Sequence, residues 1–144
     1  MLKNQITITE IKGAKAMEAQ FPLLKILTPE LTKEDYIMML PEMIKNGYRM
    51  VGAFKDSECI GLSGFWINSK IWCGKYLEVD NFIVDEKYRS SGIGKMLLDW
   101  LMLEGKKHDC KASVLDSYVY NDKSHRFYFR EGFVIKGFHF FRKI

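Results

Sequence analysis

Residues 76–104 read YLEVDNFIVDEKYRSSGIGKMLLDWLMLE, and few folds accommodate that succession of patterns. Alternation over Tyr76–Val84 predicts a strand, with Leu77, Val79 and Ile83 on one face and Tyr76, Glu78, Asp80, Phe82 and Val84 on the other. A polar run, Asp85-Glu86-Lys87-Tyr88, leads into Arg89-Ser90-Ser91-Gly92-Ile93-Gly94. Ile93, Met96, Leu97, Trp100 and Leu101 then recur at helical spacing. A glycine-rich turn between strand and helix aims backbone N–H groups along the helix N-terminus, where the macrodipole adds positive potential. That arrangement holds an anion, most often a phosphate.

Two common phosphate loops are excluded. A P-loop needs Gly-x-x-x-x-Gly-Lys-Ser/Thr, but around Gly94-Lys95 the outer positions are Arg89 and Met96. A dinucleotide fingerprint needs a third small residue, and Leu97 stands there. What remains, Arg89-x-x-Gly92-x-Gly94 behind a strand ending Phe82-Ile83-Val84, resembles the acetyl-CoA pyrophosphate loop of the GNAT N-acetyltransferase superfamily, Arg/Gln-x-x-Gly-x-Gly/Ala. The resemblance implies that Arg89, Ser90, Ser91, Gly92, Ile93, Gly94 and Lys95 bind acetyl-CoA as co-substrate, with no metal. It implies further that Phe82, Ile83 and Val84 hydrogen-bond the pantetheine arm and supply a backbone N–H to the oxyanion.

The flanking patterns complete one α/β domain over residues 1–144. Residues 5–11 alternate as a first strand; Ala14–Leu27 reads as helix, ended by Thr28-Pro29. Thr32 caps a second helix reaching Asn46-Gly47, which Pro41 should kink or divide. Tyr48–Phe54 and Cys59–Ile67 form a hairpin about Lys55-Asp56-Ser57-Glu58. Beyond the central helix come a short strand, Ala112–Leu115, and a helix capped by Asn121 or Asp122 that ends at Gly132. A last strand, Phe133–Arg142, follows, with a bulge at Gly137. The order β-α-α-β-β-β-α-β-α-β predicts a mixed central sheet with helices on both faces. It is also the GNAT order, and the segments LKILTPEL, GYRMVGAF and HRFYFREGF look like small bacterial acetyltransferases of undefined substrate.

The C-terminal run from Asn121 to Phe133 resembles the family pattern Asn-x-x-Ala-x-x-Phe/Leu-Tyr-x-x-x-Gly-Phe, with Ser124 in place of Ala. The resemblance assigns Asn121 to the cofactor arm and Tyr128 to protonation of the departing thiolate; otherwise they are a helix cap and a core aromatic. An amine acceptor arrives protonated, its pKa about 10.4, and needs a base. Glu78 and Asp80 share a strand face, and Glu78 stands eleven residues before Arg89, where some GNAT enzymes carry a catalytic glutamate. Either takes the proton, directly or through water, or merely attracts a cation. The expected activity is direct transfer of acetyl from acetyl-CoA to a small-molecule or peptide amine. The rival is a non-catalytic acyl-CoA-binding or regulatory domain on the same fold.

Composition narrows the setting. The net charge of +4 is dispersed, which argues against nucleic acid, and no apolar run approaches a membrane span. Cys59, Cys73 and Cys110 are odd in number and widely spaced, as expected of reduced thiols in a cytoplasmic protein, and none has an activating base nearby in sequence. A homodimer is open. His108-Asp109-Cys110 lacks the second pair that a metal site needs, His125 reads as surface, and His139 reads as a buried, hydrogen-bonded histidine. Trp66, Trp72 and Tyr118 read as core or pocket-lining rings, and Glu34, Asp35 and Glu42 as acids able to meet a cationic acceptor.

Overall fold

The structure, a computed structural model, describes residues 5–144. Its contacts form two compact units, one running to Val114 and the other comprising Leu115–Ile144. In the first, β1 (Ile6–Ile11), β2 (Arg49–Lys55), β3 (Glu58–Lys70) and β4 (Gly74–Val84) pair antiparallel in sequence order. β5 (Ala112–Leu115) joins the sheet beside β4. Asp56 and Ser57 turn the β2–β3 hairpin with φ of 47° and 71°, the left-handed pair that a two-residue turn demands.

The sheet separates two apolar layers. On one face lie α1 (Ala14–Glu18), α2 (Phe21–Leu27) and α3 (Lys33–Lys45), whose Met17, Leu23, Leu24, Tyr36 and Leu40 cluster with Met50, Leu62 and Ile83. The single helix expected over Ala14–Leu27 is two, because Pro22 at the start of α2 has no N–H to continue the ladder from α1. Conversely, α3 runs through Pro41 undivided. Burial of Tyr36 and Leu40 on its inner side outweighs the one backbone bond lost at the exposed proline. Thr32 Oγ1 caps α3, accepting from Asp35 N–H at 3.1 Å.

On the opposite face α4 (Ile93–Lys107) buries Ile93, Leu97, Leu98 and Leu101, and Trp100 meets Phe65 edge-on at 5.8 Å. Arg49 closes this layer. Its guanidinium lies 4.8 Å over Phe65, reaches Glu10 Oε1 and Glu104 Oε1 at 2.8 Å each, and so ties β1, β2 and α4 together. Burial alone would raise the Glu104 carboxyl. The hydrogen bond and charge of Arg49, supported by His108 and Lys107, bring it below its usual range.

β4 does not keep one alternation throughout. Asp80 faces Gly64 and Ile83 faces Leu62, so Ser63 stands opposite two residues, Asn81 and Phe82. Asn81 takes φ 53° at this bulge. The expected grouping of Ile83 with Leu77 and Val79 is therefore corrected. The extra residue turns Ile83 onto the Asp80 face, where it joins the α1–α3 core.

In the second unit α5 (Asp122–Arg130) is capped by Asn121 Oδ1, which accepts from Ser124 N–H at 3.4 Å. It ends with Gly132 at φ 91°, the N–H groups of Phe133 and Gly132 returning to the carbonyls of Tyr128 and Phe129 at 2.9 and 3.1 Å. The strand expected over Phe133–Arg142, with its bulge at Gly137, is not formed. Phe138, Phe140 and Phe141 are 82%, 92% and 80% exposed. A strand needs a neighbour to take its N–H and C=O groups, and no ladder within the described residues includes this segment. The observed order is β-α-α-α-β-β-β-α-β-α.

Candidate active site

The bulge draws side chains from three strands together. A regular strand would leave Asn81 aimed at the α4 face. Its left-handed backbone instead lets Oδ1 accept from Tyr48 Oη–H at 3.0 Å. Tyr48 reaches that far because it crosses Gly64, where a Cβ would stand 2.6 Å from its ring carbons. Trp66 packs tilted against Tyr48, ring centroids 5.1 Å apart, and its indole N–H donates to Asp80 Oδ2 at 3.0 Å. Burial, then the charge of Asp80, raises the Tyr48 hydroxyl well above its ordinary value, so it stays a donor. Asp80 is half-buried, with one oxygen fixed by Trp66.

Tyr48, Asp80 and Asn81 floor a cavity of about 230 Å³ under α2 and α3. Leu24, Leu31, Met39 and Met43 give its apolar walls, and Thr28, Tyr36 and Tyr48 complete them. Asp80 lines this cavity; Glu78, half-buried and opposite Trp66 in the ladder, is not among its lining residues. Glu34, Asp35 and Glu42 are exposed on α3 and do not line it either. Tyr48 and Asn81 escaped the sequence reading. A Tyr, a Gly and an Asn at 48, 64 and 81 carry no local signal, and only the strand register unites them.

At the far end of β4 the turn forms as its residues require. Asp85 Oδ1 accepts from Lys87 N–H at 2.9 Å and opens a 3-10 turn over Glu86–Tyr88. Arg89 Nε–H donates to the Val84 carbonyl at 3.2 Å, and Ser91 Oγ–H donates to the Tyr88 carbonyl. Ser90 and Gly92 take φ of 63° and 87°. Gly92 then starts α4 with no side-chain cap, unlike Thr32 at α3 and Asn121 at α5. The first-turn N–H groups of Ile93, Gly94 and Lys95 have no intrahelical carbonyl to meet. An uncapped, glycine-started helix of this length can receive an anion such as a phosphate at its first turn. Lys95 turns away along the helix, pairing with Asp99 Oδ1 at 3.0 Å. Phe82 and Val84, half-buried, and Ile83, buried, lead from the bulge to this turn.

In the C-terminal unit Tyr128 packs against Phe127 and Phe133 at 5.4 and 5.8 Å, and burial pushes its hydroxyl up to about 12. It therefore holds its proton across the neutral range. Asn121 is engaged as the α5 cap.

Other readings change. His139 is exposed and pairs with Asp116 Oδ2 at 3.0 Å, against the expected burial, because no strand forms there to bury it. Trp72 and Tyr118 are 62% and 69% exposed, not core. Burial pushes the Cys59 thiol up to about 11, which suits a structural cysteine. Among the described residues no group of three or more metal-type side chains comes together, and no helix is long and apolar enough to cross a membrane.

Comparison with known proteins agrees with the fold. The sequence model of the Acetyltransferase (GNAT) family matches residues 16–133, which spans parts of both units. The chain belongs to this family of acetyltransferase enzymes. It is 26% identical over 140 residues, 96% of its length and 98% of the relative's, to YhdJ of Bacillus subtilis (strain 168), described as an uncharacterized N-acetyltransferase. It is also 26% identical over 100 residues to the spermine/spermidine N(1)-acetyltransferase of the same organism, covering 62% of each chain. Among solved structures, aminoglycoside N-acetyltransferase AAC(6')-Iy in complex with CoA superposes with a TM-score of 0.83 at 19% identity, over 96% of this chain and 94% of that one.

Proposed function

We propose that this chain transfers acetyl from acetyl-CoA directly to a primary amine, small-molecule or peptide. The observation that carries the proposal is the single strand β4, which bears a carboxylate-floored cavity before its bulge and an uncapped helix turn after it. The turn N–H groups of Ile93, Gly94 and Lys95 hold the pyrophosphate, with Arg89, Ser90, Ser91 and Gly92 shaping the approach. Phe82, Ile83 and Val84 offer backbone hydrogen bonds to the pantetheine and an N–H to the oxyanion.

The bound ammonium has no lone pair, so it first gives one proton to water; the neutral nitrogen then attacks the thioester carbonyl, the C–S bond breaks, and the thiolate leaves. A carboxylate lies roughly six pKa units below a free ammonium, so the second N–H proton departs late, once bonding to carbon has acidified the nitrogen. Asp80 takes it, directly or through water; its place in the cavity lining favours it over Glu78, and the Trp66 indole orients it. Tyr128, protonated, neutralises the thiolate, while Asn121 contributes to the cofactor arm. The two spermine/spermidine and aminoalkylphosphonate enzymes among the relatives carry amine acceptors in their names, which supports an amine here. A CoA-release assay across monoamines, polyamines, aminoglycosides, amino acids and peptides, blanked for the protein's own thiols, tests the reading. Amine-dependent CoA release is expected; tight acetyl-CoA binding with no release from any amine overturns it.

A further inference from the structure

We propose that the acceptor is a small primary monoamine with an apolar body, its ammonium at Asp80 and its hydrocarbon against the α2–α3 wall. The proposal rests on the acyl-transfer reading and adds the acceptor class. Among the described residues, Asp80 is the only acidic or basic side chain of the Asp, Glu, Lys, Arg or His type that lines the cavity. The acids that promised to meet further positive charge, Glu34, Asp35 and Glu42, stand exposed on α3 outside it. A second ammonium placed inside would lose its water against Leu24, Leu31, Met39 and Met43 with no counter-charge, whereas a methyl group there loses nothing.

Both tyrosine hydroxyl protons at the cavity are committed: Tyr36 Oη–H donates to the Met17 carbonyl at 2.7 Å and Tyr48 Oη–H to Asn81 at 3.0 Å, while the Trp66 indole holds Asp80. Thr28 and Asn81 are the other polar side chains of the lining, too few for the many hydroxyls of an aminosugar. The cavity, about 230 Å³, also falls below the roughly 300–1,000 Å³ that drug-sized ligands fill. One carboxylate with an oxygen beyond the Trp66 bond, four apolar walls and few polar groups describe one charge on a short hydrocarbon.

The test compares n-hexylamine with 1,5-diaminopentane, equal in heavy atoms and differing only where a methyl replaces an ammonium, with spermidine alongside. With the intact protein and acetyl-CoA, kcat/KM for n-hexylamine is expected to exceed that for either polyamine by roughly 10²-fold. Met39 is 46% exposed, so Met39→Glu should fold, and by giving the second ammonium a counter-charge it should narrow the ratio by about tenfold or more. Equal or better turnover of the diamine or spermidine by the unaltered protein overturns the monoamine class and leaves acyl transfer standing. An unchanged ratio in Met39→Glu removes this cavity as its source. No turnover with any amine overturns both readings.

Discussion

The two ends of β4 are built from different materials. Its loop end is made of backbone: left-handed Ser90 and Gly92, an uncapped helix start, and the amides of Ile93, Gly94 and Lys95. Its cavity end is made of side chains, Tyr48, Trp66, Asp80 and Asn81, each held by another. A backbone site tolerates nearly any side chain that stays out of the way and fails when a Cβ intrudes. A side-chain site fails when one functional group is deleted. Under the proposed function, ligand binding should therefore leave opposite mutational signatures on neighbouring stretches of one strand-turn-helix.

Removing functional groups should produce the largest effects. Asp80→Asn is expected to lower kcat/KM by roughly 10²–10⁴-fold, with acetyl-CoA affinity by calorimetry unchanged. Glu78→Gln is its partner experiment; if that variant shows the loss and Asp80→Asn does not, the base belongs to Glu78. Tyr128→Phe deletes one oxygen and keeps the ring against Phe127 and Phe133. A fall in kcat of about 10²-fold is expected at nearly constant KM for acetyl-CoA. Wild-type turnover with chemistry shown to be rate-limiting would return Tyr128 to the core.

At the backbone end the expectation reverses. Gly94→Val should weaken acetyl-CoA binding on the order of tenfold, because its side chain crowds the approach of the pyrophosphate to the amides. Lys95→Ala removes a full charge yet should change affinity less than about twofold, since that ammonium is paired with Asp99 in water. If the lysine proves the more sensitive of the two, the contrast between the ends of β4 collapses.

The Arg49 cluster lies apart from both ends and serves as the control. Glu104 has its folded pKa depressed, so its contribution to stability is present above the unfolded value of about 4.3 and is lost as pH falls through the folded one. Glu104→Gln should cost about 1–3 kcal/mol at neutral pH and flatten the acid side of a Tm-versus-pH curve, with kcat per folded molecule unchanged. A matching loss of kcat would show that the frame and the site are not separable.

The division between backbone and side chain also explains what the sequence disclosed. The turn was legible because glycine spacing is a local record of backbone shape, and Arg89 to Gly94 lie within one short run. The hairpin about Asp56-Ser57, the Thr32 cap and the Asn121 cap were legible for the same reason. The cavity was not, because Tyr48, Gly64 and Asn81 meet only through strand register, which no short window records. Phe133–Arg142 failed in the other direction. Its apolar pattern is that of a strand, but pattern supplies side chains to bury and not the neighbour whose amides complete a ladder.

The bulge at Asn81 works like a one-letter insertion in a two-letter code. Before it, even-numbered residues of β4 face the α1–α3 layer; after it, odd-numbered ones do. A chain lacking that one residue would still set Asp80 opposite Gly64 and Ile83 opposite Leu62, so both apolar layers would keep their members. What would vanish is the out-of-line stretch of backbone and the acceptor for Tyr48. The insertion is therefore surplus to the layering of the sheet but not to its hydrogen bonding, since it gives the buried Tyr48 hydroxyl its acceptor.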